Sequence, residues 1–339
     1  AYQGAYAMEE NVKSVWTGFW RRLGGFLIDG LVLGLVGYGA GSLTFDTLAA
    51  LDGPTRLIGL AVGMTYFGFL SSGMGGSRTL GMRVTDVKVV AVNGRPLGLL
   101  PSLWRALILQ APLMLNGMMV ELKEPLWATI YSVATVTLVF GITFAQIILL
   151  LFNRPSRRLV HDLLSGAIVV RADVGQPPVL KARGAIITVL VVVILTAGAA
   201  QLSGHLVPKG LLATINSLTA PQDAVAAMPE VLTASVQDNT NTFFGSGGSR
   251  VTTRTLIVSA RLRVWPKDQA AAIERIGRVA TSAYRLAPGQ KVRVTLTYGY
   301  DIGIASGWRS FSDDFEPKPI PLKPSTPVVK AESGGPGKP

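Results

Sequence analysis

The sequence has no cysteine, and only two histidines, His161 and His205, among its 339 residues. The first absence excludes disulfides, thiolate metal centres and cysteine nucleophiles, and the second excludes a multi-histidine metal site. Charge is scarce: 15% of the residues are Asp, Glu, Lys or Arg, and the acids are outnumbered 20 to 32. A P-loop, a GxSxG elbow, an HExxH helix and carboxylates at catalytic spacing are all missing. The chain therefore reads as a non-enzyme with no call for a cofactor or a metal.

Apolar residues make up 49% of the chain, and the mean hydropathy is +0.40. That is too apolar for a soluble domain of this length and points to a multispanning membrane protein. The net charge is +12. Its scattered bases fit a positive-inside bias and anionic lipids at the cytoplasmic face, not a nucleic-acid reading helix. The first ten residues lack the basic and apolar regions of a cleavable signal peptide, and Ala1 reads as what remains after loss of an initiator Met.

One stretch organises the rest: Arg21-Arg22-Leu-Gly-Gly-Phe-Leu-Ile-Asp29-Gly, opening an apolar run. Arg22 and Asp29 are seven residues apart, on one helical face, with Asp29 roughly 10 Å deeper. Arg22 is long enough to snorkel to water, but Asp29 is not. A lone aspartate in hydrocarbon costs about 2.5–3.5 kcal/mol. Asp29 should therefore face a partner helix or a wet cavity. A hydrogen bond or ion pair in helix packing is the plainer role, and an ion or proton site the sharper one.

Residues 1–15 form a polar, cytoplasmic leader, and Trp16 and Trp20 read as an interfacial belt. Spans are expected at about 19–43, 56–74, 104–120, 127–152 and 184–203. The third is the hardest to place, because only the stretch between Arg105 and Glu121 is uncharged; a re-entrant segment is its alternative. Gln110, Asn116 and Gln146 are the candidates for a polar pathway. Glycines four apart at 30/34, 37/41 and 59/63 read as intramolecular packing faces rather than a dimer seam. The densest basic loop, 153–183, and the 75–101 loop fall inside, and the sparsely charged 44–55 and 121–126 loops outside. The 75–101 loop carries a short strand at 84–92 and an Asn93-Gly94 turn. In the 153–183 loop, Asp162 reads as a surface helix cap or a partner of Arg157 or Arg158, too divergent from adjacent His161 to form a dyad.

Residues 204–312 read as a small periplasmic α/β domain. One or two helices span 208–235, and a polar connector runs over 240–250. A strand at 258–264, a helix capped by Asp268 and a strand at 292–298 then make a βαβ-like unit. It is small for an independent core and should lean on the membrane domain or a partner. Residues 313–339 form a Pro/Lys/Gly-rich extended tail. The fold class is thus an all-α membrane bundle of about five transmembrane helices followed by this domain and tail.

Three patches resemble the RDD family of bacterial membrane proteins. RRLGGFLIDG is similar to its first-helix motif, placing Arg22 and Asp29; GGSRTLGMRVTDVKVVAVNGRPLG is similar to its TLGK-type loop and strand. RRLVHDLLSGAIVV is similar to its closing His-Asp segment, with Asp162 as the second aspartate. The likeness covers roughly residues 16–172, and Met82 stands where the family has Lys. It implies an integral inner-membrane protein and leaves activity open, with cation/proton antiport among the suggestions. Two roles follow as expectations. One is a non-catalytic accessory or scaffold subunit packed against other subunits of a larger membrane complex. The other is a small cation/proton antiporter using Asp29.

Overall fold

The computed structural model describes residues 16–51, 54–118, 124–154, 156–174, 183–206, 209–244 and 250–316. The expected leader and nearly all of the expected tail lie outside them, as does the side chain of His205.

Helix α1 (Phe19–Leu43) is the first long apolar element; it ends where the Thr44 hydroxyl bonds back to the Ala40 carbonyl at 2.9 Å. A short helix α2 (Phe45–Ala49) turns the chain, and α3 (Arg56–Ser71) returns. Next come a one-turn helix α4 (Leu80–Val84) and strand β1 (Val87–Ala91), shorter than the strand expected at 84–92. Helix α5 (Leu99–Leu115) starts five residues before the expected span, so Arg105 lies inside it rather than at its edge. Helix α6 (Pro125–Val136) runs through a π-helical turn at Thr137–Gly141 into α7 (Ile142–Phe152). A one-turn helix α8 (Val160–Leu164), strand β2 (Ala167–Arg171) and the long helix α9 (Arg183–Leu206) complete this half. Among the described residues, three helices, 19–43, 126–152 and 184–202, are long and apolar enough to cross a membrane; 56–71 and 99–115 are shorter apolar helices.

The strands β1 and β2 pair antiparallel, Val89 opposite Val169. This ladder joins the two basic loops into one platform at the Arg22 end. Trp16 is not part of an interfacial belt. It bridges Val170 and is buried against Val90 and Ile168, whereas Trp20 is exposed.

The C-terminal region comprises helix α10 (Lys209–Ala226), β3 (Val231–Phe244), β4 (Arg250–Leu262), α11 (Gln269–Ser282), β5 (Lys291–Asp301) and β6 (Ser306–Phe315). The sheet order is β3-β4-β5-β6; β4 and β5 are parallel, joined through α11, and both outer pairs are antiparallel. Asp268 caps α11, its carboxylate accepting from the Ala271 N–H at 2.9 Å. Alternation along β4 and β5 sends Leu256, Val258, Ala260, Val292, Val294 and Leu296 to one face, where Ile273 and Ile276 cover them. The segment 240–244, expected to be connector, belongs to β3, and β6 had no counterpart in the sequence reading.

Candidate functional site

The Arg22 end is built around two buried carboxylates. Asp29 is 1% exposed, and its oxygens accept from the Tyr66 hydroxyl (2.7 Å), the Thr79 hydroxyl (2.5 Å) and the Gly81 N–H (2.7 Å). Thr79 also caps α4, accepting from the Met82 N–H at 3.2 Å. Asp29 therefore clasps the start of α4 and ties it to α1 and α3. The clasp requires close backbones: a Cβ on Gly81 would run into the Gly25 carbonyl and stand 2.9 Å from the Asp29 carboxyl carbon. This is the physical reason for glycine in both RRLGGF and TLG.

Asp162 is wholly buried, not a surface cap, and its ion partners are neither Arg157 nor Arg158. It accepts from Arg105 Nε at 2.8 Å, and Arg22 Nη1 lies at 3.7 Å. Its other oxygen reaches back to the Leu159 N–H at 3.3 Å, closing the turn of α8. Neighbouring His161, expected to diverge, brings Nε2 to 3.4 Å from Asp162 Oδ1, while its Nδ1 meets Gln146 Oε1 at 2.7 Å. Burial pushes the His161 imidazole down to about 3; Asp162 opposes this, and Arg105 and Arg22 reinforce it. Burial alone would raise the Asp162 carboxyl, but His161, Arg105 and Arg22 together hold it below the ordinary carboxylate range. With His161 uncharged at neutral pH, the two guanidiniums carry that effect.

Arg22 does not snorkel. Its Nε donates to the Thr17 hydroxyl at 2.6 Å, and its Nη atoms donate to the carbonyls of Arg157 (2.6 Å), Ser156 (2.7 Å) and Val169 (2.9 Å). It therefore fastens α1 to β2 and to the loop after α7. Arg157 sits there at φ +47°, a backbone region that costs a non-glycine residue about 1 kcal/mol or more. Arg158 is buried alongside, donating to the carbonyls of Ala167 and Asp162 at 3.1 and 3.4 Å.

A cavity of about 270 Å³ lies between α1, α5 and α7, with Arg22, Asp29, Arg105, Gln146, His161 and Asp162 on its wall. It brings together the three motif residues and one of the three polar-pathway candidates. Gln110 is buried elsewhere, against Gly63. Asn116 is exposed at the far end of α5. Arg105 was missed as a site residue; its only sequence signal was a charge closer to an apolar run than a loop needs. Among the described residues, no group of three or more His, Asp or Glu is placed to hold a metal ion.

Residues 16–166 match the model of the RDD family. The match spans 151 of the 339 residues, and that stretch is similar to an RDD domain. No curated protein and no solved structure matches the chain. Within the matched stretch, Arg22, Asp29 and Asp162 are engaged in holding loops to helices, and Met82 lines the cavity.

The other end, around Leu43, is built on shape. The turn between β5 and β6 is seated on α1 and α3. Ile304 and Ala305 come within 3.1 Å of where a Gly37 Cβ would stand; a Cβ on Gly41 would overlap the Tyr300 hydroxyl, and one on Gly59 the Ile302 carbonyl. Of the glycine pairs, 37/41 and 59/63 are packing faces, whereas a Cβ on Gly30 would meet nothing within 4 Å. Gly63 meets Gln110 of α5, and Gly37, Gly41 and Gly59 accept this turn. Polar contacts ring it: Arg56 Nη2 to Asp301 Oδ2 at 2.6 Å, the Thr55 hydroxyl to the Asp301 carbonyl at 2.7 Å, and the Tyr298 hydroxyl to Asp46 at 2.9 Å. Phe45 meets Tyr300 edge to face, with ring centres 5.6 Å apart.

Proposed function

We propose that this RDD-family membrane protein is a non-catalytic accessory or scaffold subunit of a larger complex in the bacterial inner membrane. The observation that carries the reading is that both family carboxylates have their partners inside the fold. Asp29 is covered by three donors, and Asp162 by guanidiniums and a backbone N–H. Groups held this way stiffen a scaffold and have little left to exchange with a travelling ion. Helix α9 favours a neighbour: only 6% of its apolar window is buried within the chain, against 22% for each of the other two long helices.

In this reading the helices cross five times, with the N-terminus cytoplasmic and the C-terminal domain periplasmic. Contacts at alternate ends support the count. Arg22, Asp162 and the β1–β2 pair meet at one end; Asp46, Arg56, Met114 and the β5–β6 turn meet at the other. Exposed Arg21, Arg83, Arg95 and Arg154 lie at the first end and suit the anionic lipids of a cytoplasmic leaflet.

Mild-detergent solubilisation of native membranes, followed by sizing and identification of what travels with the chain, tests this. Fixed stoichiometry with larger membrane subunits is the expected result; recovery as a lone protein sinks the proposal. One observation favours the antiporter as a second reading: Asp29 and Asp162 share one cavity with Gln146. It requires proton-coupled flux that Asp29→Asn abolishes.

A further inference from the structure

We propose that the cavity beside the Arg105–Asp162 pair binds a single-chain anionic amphiphile, its head on Arg105 and its chain leaving into the bilayer past α1. The cavity is two-sided. One end presents Arg105, Asp162 and His161; the remainder is mostly apolar, walled by side chains such as Phe26, Phe67 and Leu113. Phe67 is buried, but Phe26 and Leu113 are 37% and 50% exposed on the lateral surface of the helices. In a bilayer that side faces acyl chains, so the apolar end has a lateral mouth. A mostly apolar space with a few convergent polar groups is the usual form of a ligand site, and poor housing for a chain of waters or a bare ion.

The charge at the polar end selects the head. Two guanidiniums, those of Arg22 and Arg105, face the single carboxylate of Asp162, and a third, that of Arg158, meets its backbone carbonyl. Arg22 is spent on four acceptors, and Arg158 on two carbonyls. Arg105 gives Asp162 its Nε at 2.8 Å, and among the described residues no hydrogen bond reaches its Nη atoms. Its outer N–H donors, a fork suited to a carboxylate or phosphate, are thus left for an acceptor at the cavity wall. Asp29, the other carboxylate on the wall, is covered by its three donors and lies one to two helical turns beyond Arg22. It neither competes for Arg105 nor presents bare oxygens to the chain.

The test uses the full chain in lipid nanodiscs and a palmitate probe carrying a photoreactive diazirine. Labelling is expected on the peptides of α5 and α7 that flank Arg105 and Gln146. Unlabelled palmitate and palmitoyl lysophosphatidate should compete, inorganic phosphate should not, and hexadecanol should compete about tenfold more weakly, the worth of one charge-assisted hydrogen bond. Arg105→Gln should reduce labelling about tenfold. Because that change also strands Asp162, Leu113→Trp supplies an independent arm: it obstructs the apolar end, leaves the ion cluster intact and should reduce labelling with no change in melting temperature. Labelling indifferent to both variants overturns the proposal. So does hexadecanol competing as well as palmitate, or displacement of the probe by phosphate alone, which would mark a small-anion site.

Discussion

At the Arg22 end, two carboxylates and three arginines below the surface hold the loops to the helices. At the Leu43 end, glycines receive a turn of the C-terminal domain and charge stays at the rim. The same membrane domain is thus closed by electrostatics on one side and by shape on the other. The difference follows from what each end must fix. The β1–β2 ladder has small apolar clusters on its two faces, and buried ion pairs and hydrogen bonds to carbonyls fasten it and its loops to the helices. The sheet domain brings its own core and needs only a seat. Removing one partner of a buried pair is expensive because the other is left uncompensated, whereas a rim pair in water is worth little. The two ends should therefore respond differently to mutation.

The largest effect is expected at the buried cluster. Arg105→Met leaves Asp162 facing one guanidinium, that of Arg22 at 3.7 Å, in place of two. It should cost about 3–5 kcal/mol in detergent unfolding; a cost below about 1 kcal/mol would erase the contrast. Next comes Gly59→Leu, which places side-chain atoms where the Ile302 carbonyl lies. Overpacking of this kind costs about 1–3 kcal/mol, and the C-terminal domain should become protease-sensitive while the β1–β2 platform stays protected. Asp29→Asn keeps the shape but weakens charge-assisted bonds to Tyr66, Thr79 and Gly81, for about 1.5–3 kcal/mol.

A smaller effect concerns pH. His161 is held uncharged in the fold, down to about 3, against an ordinary value of 6.5. Its folded value is depressed, so below the unfolded value the unfolded chain takes up a proton that the folded chain refuses. Stability contributed by this site is complete above about 6.5 and falls as pH drops toward 3, by about 1 kcal/mol near pH 5.5. His161→Gln should flatten that part of the melting-temperature profile. The smallest effect is Arg56→Gln at the opposite rim, where both partners of the Asp301 pair are more than a quarter exposed. About 0.2–1 kcal/mol is expected there, reduced by salt.

Composition and apolar run length made the membrane half legible: α1 occupies the expected 19–43, and α9 covers the expected 184–203. They did not place α5, because a hydropathy reading treats Arg105 as an end when its charge is met by Asp162, 57 residues away. Distant pairs of this kind join the elements at the Arg22 end; Asp29 meets Gly81 across 52 residues, and Arg22 meets the Arg157 carbonyl across 135. One sequence shows which charges lie in apolar surroundings but not which partner each finds. Strand β2 was hidden in a loop read by its charge, although Ala-Ile-Val-Val after Gly166 is an apolar run of strand length. Strand β6 and the outer half of β3 are exposed edges with no apolar alternation, so periodicity had nothing to register. From their size, residues 204–312 were expected to lean on a neighbour; the sheet carries a core of its own, and its seat on Gly37, Gly41 and Gly59 was not legible.

The central claim is that the motif charges hold the fold and carry no ion. Proton-coupled sodium and potassium flux into liposomes containing the purified full chain tests it most directly, alongside the Asp29→Asn variant and protein-free vesicles. The account predicts that wild type and variant both match the protein-free rate, while the variant melts at a lower temperature. A wild-type flux driven by the pH gradient and abolished by Asp29→Asn would contradict it.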